Sequence, residues 1–150
     1  MRRKDREISK QEAMVVLQQA KYGILSIASL DGIPYGIPLN YCLMNDAIYF
    51  HCAIDGRKLE ILSQNNAVSF CVVGDTEVLP DKFGMKYESA IVSGTAQEVT
   101  GSEKQYALEC MLKKYSQAYF NKGLEVIKVN INRTRVYKII IQTTTGKACR

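Results

Sequence analysis

Leu30-Asp31-Gly32-Ile33 limits the fold more than any other feature of this chain. It stands between two apolar, β-branched runs, Tyr22–Ser29 and Tyr35–Leu43. An Asp-Gly pair tolerates the positive φ angles of a tight turn, so with such runs on both sides it signals a hairpin. Asn45-Asp46 marks a second turn before the strand-like Ala47–Cys52, and Ala67–Val73 and Tyr87–Val99 read as further strands. Gly94 predicts a bulge or kink inside the last of these. Thr76–Met85, holding Pro80 and Gly84, reads as an exposed loop, and Arg133–Thr143 as the final strand. Hairpin spacing of about six strands favours a mainly β (α+β) antiparallel barrel with a few peripheral helices over a βαβ sheet.

Helices punctuate the strands. Ser9-Lys10-Gln11-Glu12 is a capping box, after which Ala13, Val16, Leu17 and Ala20 recur at helical spacing. Ser102-Glu103-Lys104-Gln105 repeats that logic and opens a helix to about Tyr115, and Tyr119–Val129 reads as another. In His51-Cys52-Ala53-Ile54-Asp55-Gly56-Arg57-Lys58, Asp55 serves as N-cap and Gly56 permits a tight turn into a short helix over Leu59–Asn65. Arg57 and Lys58 then fall in the first helical turn, where the dipole favours acidic residues instead. That placement is relieved if the free N–H groups and both side chains hold an anion, a phosphate above all. A solvated basic turn would carry the same residues.

Composition narrows the function classes. With 150 residues, 47% apolar and 23% charged, the chain is expected to form one domain over 1–150, its residues 1–8 forming a basic N-terminal arm. No run is apolar enough to span a bilayer, and no apolar segment follows the charged start, so neither membrane nor secretory signal is expected. Five cysteines without a CxxC pair suit a reducing, cytoplasmic setting. Four cations behind the net charge of +5 are Arg2, Arg3, Lys4 and Arg6; the rest of the chain is near balance, with no stripe for nucleic acid. His51 is the only histidine, which argues against a structural metal site, and there is no nucleophile elbow for a Ser-His-Asp triad. Thr145-Gly146-Lys147 imitates the end of a P-loop, but Ile141 replaces its first glycine and Ala148 its Ser/Thr.

Met1-Arg2-Arg3-Lys4-Asp5-Arg6-Glu7-Ile8, Tyr22-Gly23, Ile37-Pro38-Leu39-Asn40-Tyr41, Tyr49-Phe50-His51-Cys52-Ala53, Gly56-Arg57-Lys58, Tyr87-Glu88-Ser89 and Thr145-Gly146-Lys147 occur in one order along nearly the whole chain. Together they resemble the nitroimidazole-resistance branch of the pyridoxamine-5′-phosphate-oxidase-like, FMN-binding split-barrel proteins. The resemblance implies a six-stranded split barrel, a homodimer and FMN at the subunit interface. It implies that Pro38, Leu39, Asn40 and Tyr41 run beside the isoalloxazine. His51 and Cys52 would meet the flavin or its ribityl chain, and Arg57 and Lys58 its phosphate. Tyr87, Glu88 and Ser89 would reach FMN from the partner subunit, and Lys147 would approach the cofactor too.

The carboxy-terminal Trp and Arg pattern of true pyridoxamine-phosphate oxidases is missing, which points away from that substrate. The remaining chemistry is reduction of a nitro compound, quinone or similar small acceptor with electrons from NAD(P)H. His51, with a proton equilibrium near neutrality, is the candidate proton donor. The alternatives are a non-catalytic flavin-binding or redox-sensing module and, third, a basic barrel binding nucleic acid through Arg2–Arg6.

Overall fold

Two strands that follow one another in the chain lie at opposite edges of a single sheet. The computed structural model describes residues 2–150. Its elements in order are β1 (Glu7–Ile8), α1 (Lys10–Gln19), β2 (Gly23–Ala28), β3 (Pro34–Leu39), β4 (Cys42–Met44) and β5 (Ala47–Cys52), then α2 (Arg57–Gln64), β6 (Ala67–Leu79), β7 (Gly84–Val99), α3 (Gly101–Tyr115), α4 (Phe120–Asn130) and β8 (Arg135–Cys149). All strand pairs are antiparallel, in the order β3-β2-β6-β7-β8-β5-β4, with β1 also on β8. Only Asn40 and Tyr41 separate β3 from β4, a span of about 10 Å at most. The sheet must therefore curl until its edges nearly meet. They do not pair, and the result is a split barrel.

Tyr115, at the end of α3, closes that split chemically. Its hydroxyl accepts from the Tyr41 backbone N–H at 3.0 Å and donates to the Tyr41 carbonyl at 2.9 Å. Both backbone groups that lost their ladder partners are thus satisfied by one side chain. The Tyr41 ring turns inward, fully buried, edge-on to Phe70 at 4.9 Å, and its hydroxyl donates to the Leu17 carbonyl.

Leu25, Ile48, Phe50, Phe70, Val92 and Ile139 fill the barrel interior. A second apolar layer, with Cys42, Ala47, Tyr49 and Val136, lies outside it under Ala107, Leu108 and Met111 of α3 and Ile127 of α4. Strand β5 is thus buried on both faces, and Ala47–Phe50 shows no alternation. At Gly94 the β7·β8 register shifts; a Cβ there would lie 2.2 Å from the Ile140 carbonyl oxygen, so only glycine fits.

The six strands of six residues or more are those the hairpin spacing suggests; β1 and β4 are short additions. Four local expectations need correction. Thr76–Met85 is not a loop: β6 and β7 stay paired from Thr76↔Tyr87 to Leu79↔Gly84, because Pro80 and Gly84 sit at the tip, where little ladder pairing is lost. Tyr35–Leu43 breaks at Asn40-Tyr41, where the chain changes edge. Asp55 is not the N-cap of α2. Gly56, at φ 121°, takes that place without a side-chain cap, and helix begins at Arg57. Ser102 caps nothing either, since Thr100 is N-cap of α3. The Glu103 carboxylate is drawn instead to the Tyr49 hydroxyl (2.7 Å) and the Lys138 ammonium (2.9 Å). The Ser9 capping box forms as expected.

Candidate functional site

The strand–turn–helix unit from β5 to α2 carries His51, Cys52, Arg57 and Lys58 of the residues singled out in the sequence. Because Gly56 leaves α2 uncapped, the N–H groups of Arg57 and Lys58 have no helical acceptor. Among the described residues no carboxylate lies within ion-pair distance of either side chain. Instead the Arg57 guanidinium lies over the Tyr35 ring at 4.5 Å and the Lys58 ammonium over Phe50 at 5.6 Å. These aromatic faces hold the cations without neutralising them.

His51 and Cys52 end β5 and point to opposite faces. Cys52 packs on the barrel core, and burial pushes its thiol upward in pKa, with Lys58 opposing. His51 faces outward, its Nδ1 3.1 Å from the Met111 sulfur. The surrounding protein lowers its imidazole pKa below the ordinary 6.5, and the Lys58 charge lowers it further, so the ring is neutral at pH 7.

Beside His51 opens a cavity of about 350 Å³. Its walls include Asn40, His51, Met111, Leu112, Val126 and Ile131, and no Asp, Glu, Lys or Arg lines it. A space of this size and polarity suits a small uncharged organic molecule. The contribution of α3 and α4 was not anticipated: Leu108, Met111, Leu112 and Tyr115 recur at helical spacing, which signals a buried stripe and nothing more.

Not every residue singled out comes to this end. Pro38 and Leu39 are close by on β3, an edge strand, which is where a proline belongs. Tyr41 sits in the core with its hydroxyl, N–H and carbonyl all engaged. Tyr87, Glu88, Ser89 and Lys147 form a separate group. Ser89 pairs with Lys147, whereas His51 pairs with Val136, the partner of Val99. The two groups are thus roughly ten residues apart along the ladder, on the order of 30 Å of strand. In the second group the Lys147 ammonium lies 5.6 Å from the Tyr87 ring centroid, and Lys147 and Arg6 lower the Tyr87 phenol pKa. Glu88 accepts from Arg150 at 2.8 Å.

Comparison with known proteins agrees with this architecture. No curated protein matches the sequence. A candidate 5-nitroimidazole antibiotic resistance protein from Bacteroides thetaiotaomicron is 26% identical, with a TM-score of 0.76 over 95% of this chain and 86% of that one. A conserved hypothetical protein of Mycobacterium tuberculosis, 16% identical, superposes with a TM-score of 0.82 over 97% and 88%. An FAD-binding protein of Mesorhizobium loti, 23% identical, gives 0.72 over 97% and 98%. The latter two speak to the fold alone. The family described as pyridoxamine 5′-phosphate oxidase matches residues 9–148, and the chain belongs to that family.

Proposed function

We propose that this protein binds FMN and uses it to pass electrons from NAD(P)H to a small uncharged acceptor, a nitro compound or a quinone. One observation carries the reading: two cations without carboxylate partners stand at an uncapped helix terminus, one turn from the only histidine and its charge-free cavity. An anion matches the first feature and a neutral organic molecule the second. Arg57 and Lys58 would hold the phosphate, with the N–H groups of the first turn of α2. Asn40, Pro38 and Leu39 would border the ring system from the sheet edge. FMN, when bound, supplies the electron transfer itself. The protein orients the acceptor, and His51 is placed to donate a hydrogen bond or a proton to it. A phosphorylated acceptor such as pyridoxamine phosphate would meet no cation in the cavity.

A second copy completes the arrangement in this reading. The rows Ser26–Ser69–Ser93–Thr143 and Ile24–Cys71–Ile91–Thr145 cross four strands on the outer face of the sheet. Neither row holds a charge, which favours a two-fold contact between copies. Tyr87, Ser89 and Lys147, remote from Arg57 in one chain, would then approach it from the partner.

The test is spectroscopic. Purified protein should show flavin absorption, release FMN in acid, bleach with NADH or NADPH and regain colour with a nitroaromatic. Bound flavin that stays oxidised with every donor would reduce the reading to a flavin-binding or redox-sensing module. A haem spectrum, or no chromophore after incubation with FMN, would overturn it.

A further inference from the structure

Two of the five thiols meet where the outer apolar layer joins the sheet. Cys42, the first residue of β4, is buried, and Cys110, in the middle of α3, is half-buried. The Cys42 thiol donates to the Ala107 carbonyl at 3.6 Å, and the Cys110 thiol to the Leu43 carbonyl at 3.4 Å. Each sulfur therefore reaches the backbone beside the other: Ala107 lies one helical turn before Cys110, and Leu43 follows Cys42. Cys110 is close enough to Cys42 to add to the upward push that burial gives the Cys42 thiol pKa. Among the described residues, Cys52, Cys71 and Cys149 show no such crossed pair.

Lys114, one turn beyond Cys110, puts its ammonium near both sulfurs and 3.7 Å from the Tyr41 ring centroid. Cys110 is the more accessible of the pair, so it is the sulfur that a peroxide reaches first. Cys42 is buried and out of reach of a peroxide in solution, so the sulfur it can meet is that of Cys110 beside it.

We propose that Cys42 and Cys110 are an oxidation site at which a hydroperoxide converts the two thiols into a disulfide joining β4 to α3. The Cys110 thiolate attacks the outer peroxide oxygen; the O–O bond breaks, the alcohol or water leaves, and Cys110 becomes a sulfenic acid. The Cys42 sulfur then attacks the Cys110 sulfur. An S–S bond forms, the S–O bond breaks, and the hydroxide departs as water with the Cys42 proton. Two electrons pass from the sulfurs to the peroxide, and a small thiol reductant, itself oxidised to its disulfide, returns Cys42 and Cys110 to thiols. The bond would tie down the helix that holds Met111 against His51 and Tyr115 against Tyr41, and so fix one wall of the cavity.

The experiment treats the purified protein with one equivalent of hydrogen peroxide, blocks remaining thiols after denaturation, and maps peptides by mass spectrometry. The expected result is a peptide pair linked through Cys42 and Cys110, a loss of two free thiols per chain, and recovery of both with dithiothreitol. In Cys42→Ser the Cys110 sulfenic acid should persist and be trapped by dimedone. Linkage between chains or through another cysteine, or oxidation of Cys52 or Cys149 ahead of Cys110, would overturn the proposal. The wild-type peptide map decides the matter even where a serine variant fails to fold.

Discussion

Tyr115→Phe isolates the chemistry that closes the split. The substitution keeps the ring and removes one oxygen, which takes a hydrogen bond from the Tyr41 N–H at 3.0 Å and gives one to the Tyr41 carbonyl at 2.9 Å. Tyr41 is 0% exposed, whereas Tyr115 is 37% exposed. Each orphaned backbone group in a dry site costs about 1–3 kcal/mol. Water entering along the exposed edge of Tyr115 recovers part of this, so the expected loss is about 2 kcal/mol. For a domain of this length that corresponds to a Tm lower by about 4–8 °C. Urea unfolding should show a lower midpoint at unchanged m-value, and the Tyr41 amide should exchange faster, with little change on β7 and β8. A Tm within about 1 °C of wild type, with Tyr41 exchange unaltered, would refute the idea that this hydroxyl replaces the missing ladder.

Three further outcomes are expected. The single imidazole should titrate below 6.5 by NMR; as pH falls from about 6.5 the unfolded chain takes up a proton that folded His51 resists, so stability declines, and His51→Gln should remove that part of the decline. Asp55→Ala should change stability by less than about 0.5 kcal/mol in urea unfolding, because Gly56 and not Asp55 caps α2. Arg57→Ala/Lys58→Ala and Ser89→Trp should each lose FMN, and subunit exchange between them should restore binding at about a quarter of all sites if two copies share a site; equilibrium dialysis showing no recovery would place the site within one chain.

Strands were legible where turn chemistry was explicit. Asp31-Gly32 and Asn45-Asp46 named their hairpins, and Gly94 its bulge, because each answers a backbone demand that few residues meet. The hairpin beyond Thr76 was not legible, because Pro80 and Gly84 read alike whether they break a strand or decorate its tip. Asp55 misled for a related reason: a good capping residue stands one position before a glycine whose φ of 121° moves the helix start past it. Within the candidate site, Arg57 and Lys58 were visible as charges in an unfavourable place. The cavity was not, since its walls come from α3 and α4, and an apolar stripe reads the same against a core or around a void. Nor could local pattern show that Tyr41 belongs to the core; that follows from the edge switch, a property of the whole sheet.

The side chains that the fold engages can be separated from those it leaves free, and the division bears on where a ligand belongs. Glu103 is held by Tyr49 and Lys138, Glu88 by Arg150, and Ser89 Oγ by the Lys147 carbonyl. Tyr41 is held through three of its groups. Among the described residues, Asn40, Arg57 and Lys58 show no hydrogen bond or ion pair from their side chains, although all three lie near one rim. Placing two cations at the positive end of α2 costs stability, and a single carboxylate nearby would have offset it. Two carboxylates are near in sequence, Asp55 and, in the first turn of α2, Glu60, yet neither pairs with Arg57 or Lys58. An anion brought from outside would remove the repulsion and complete the first turn at once, which is why we propose the phosphate for Arg57 and Lys58, where two cations meet free helix N–H groups, and not for Lys147, a single cation within strand β8.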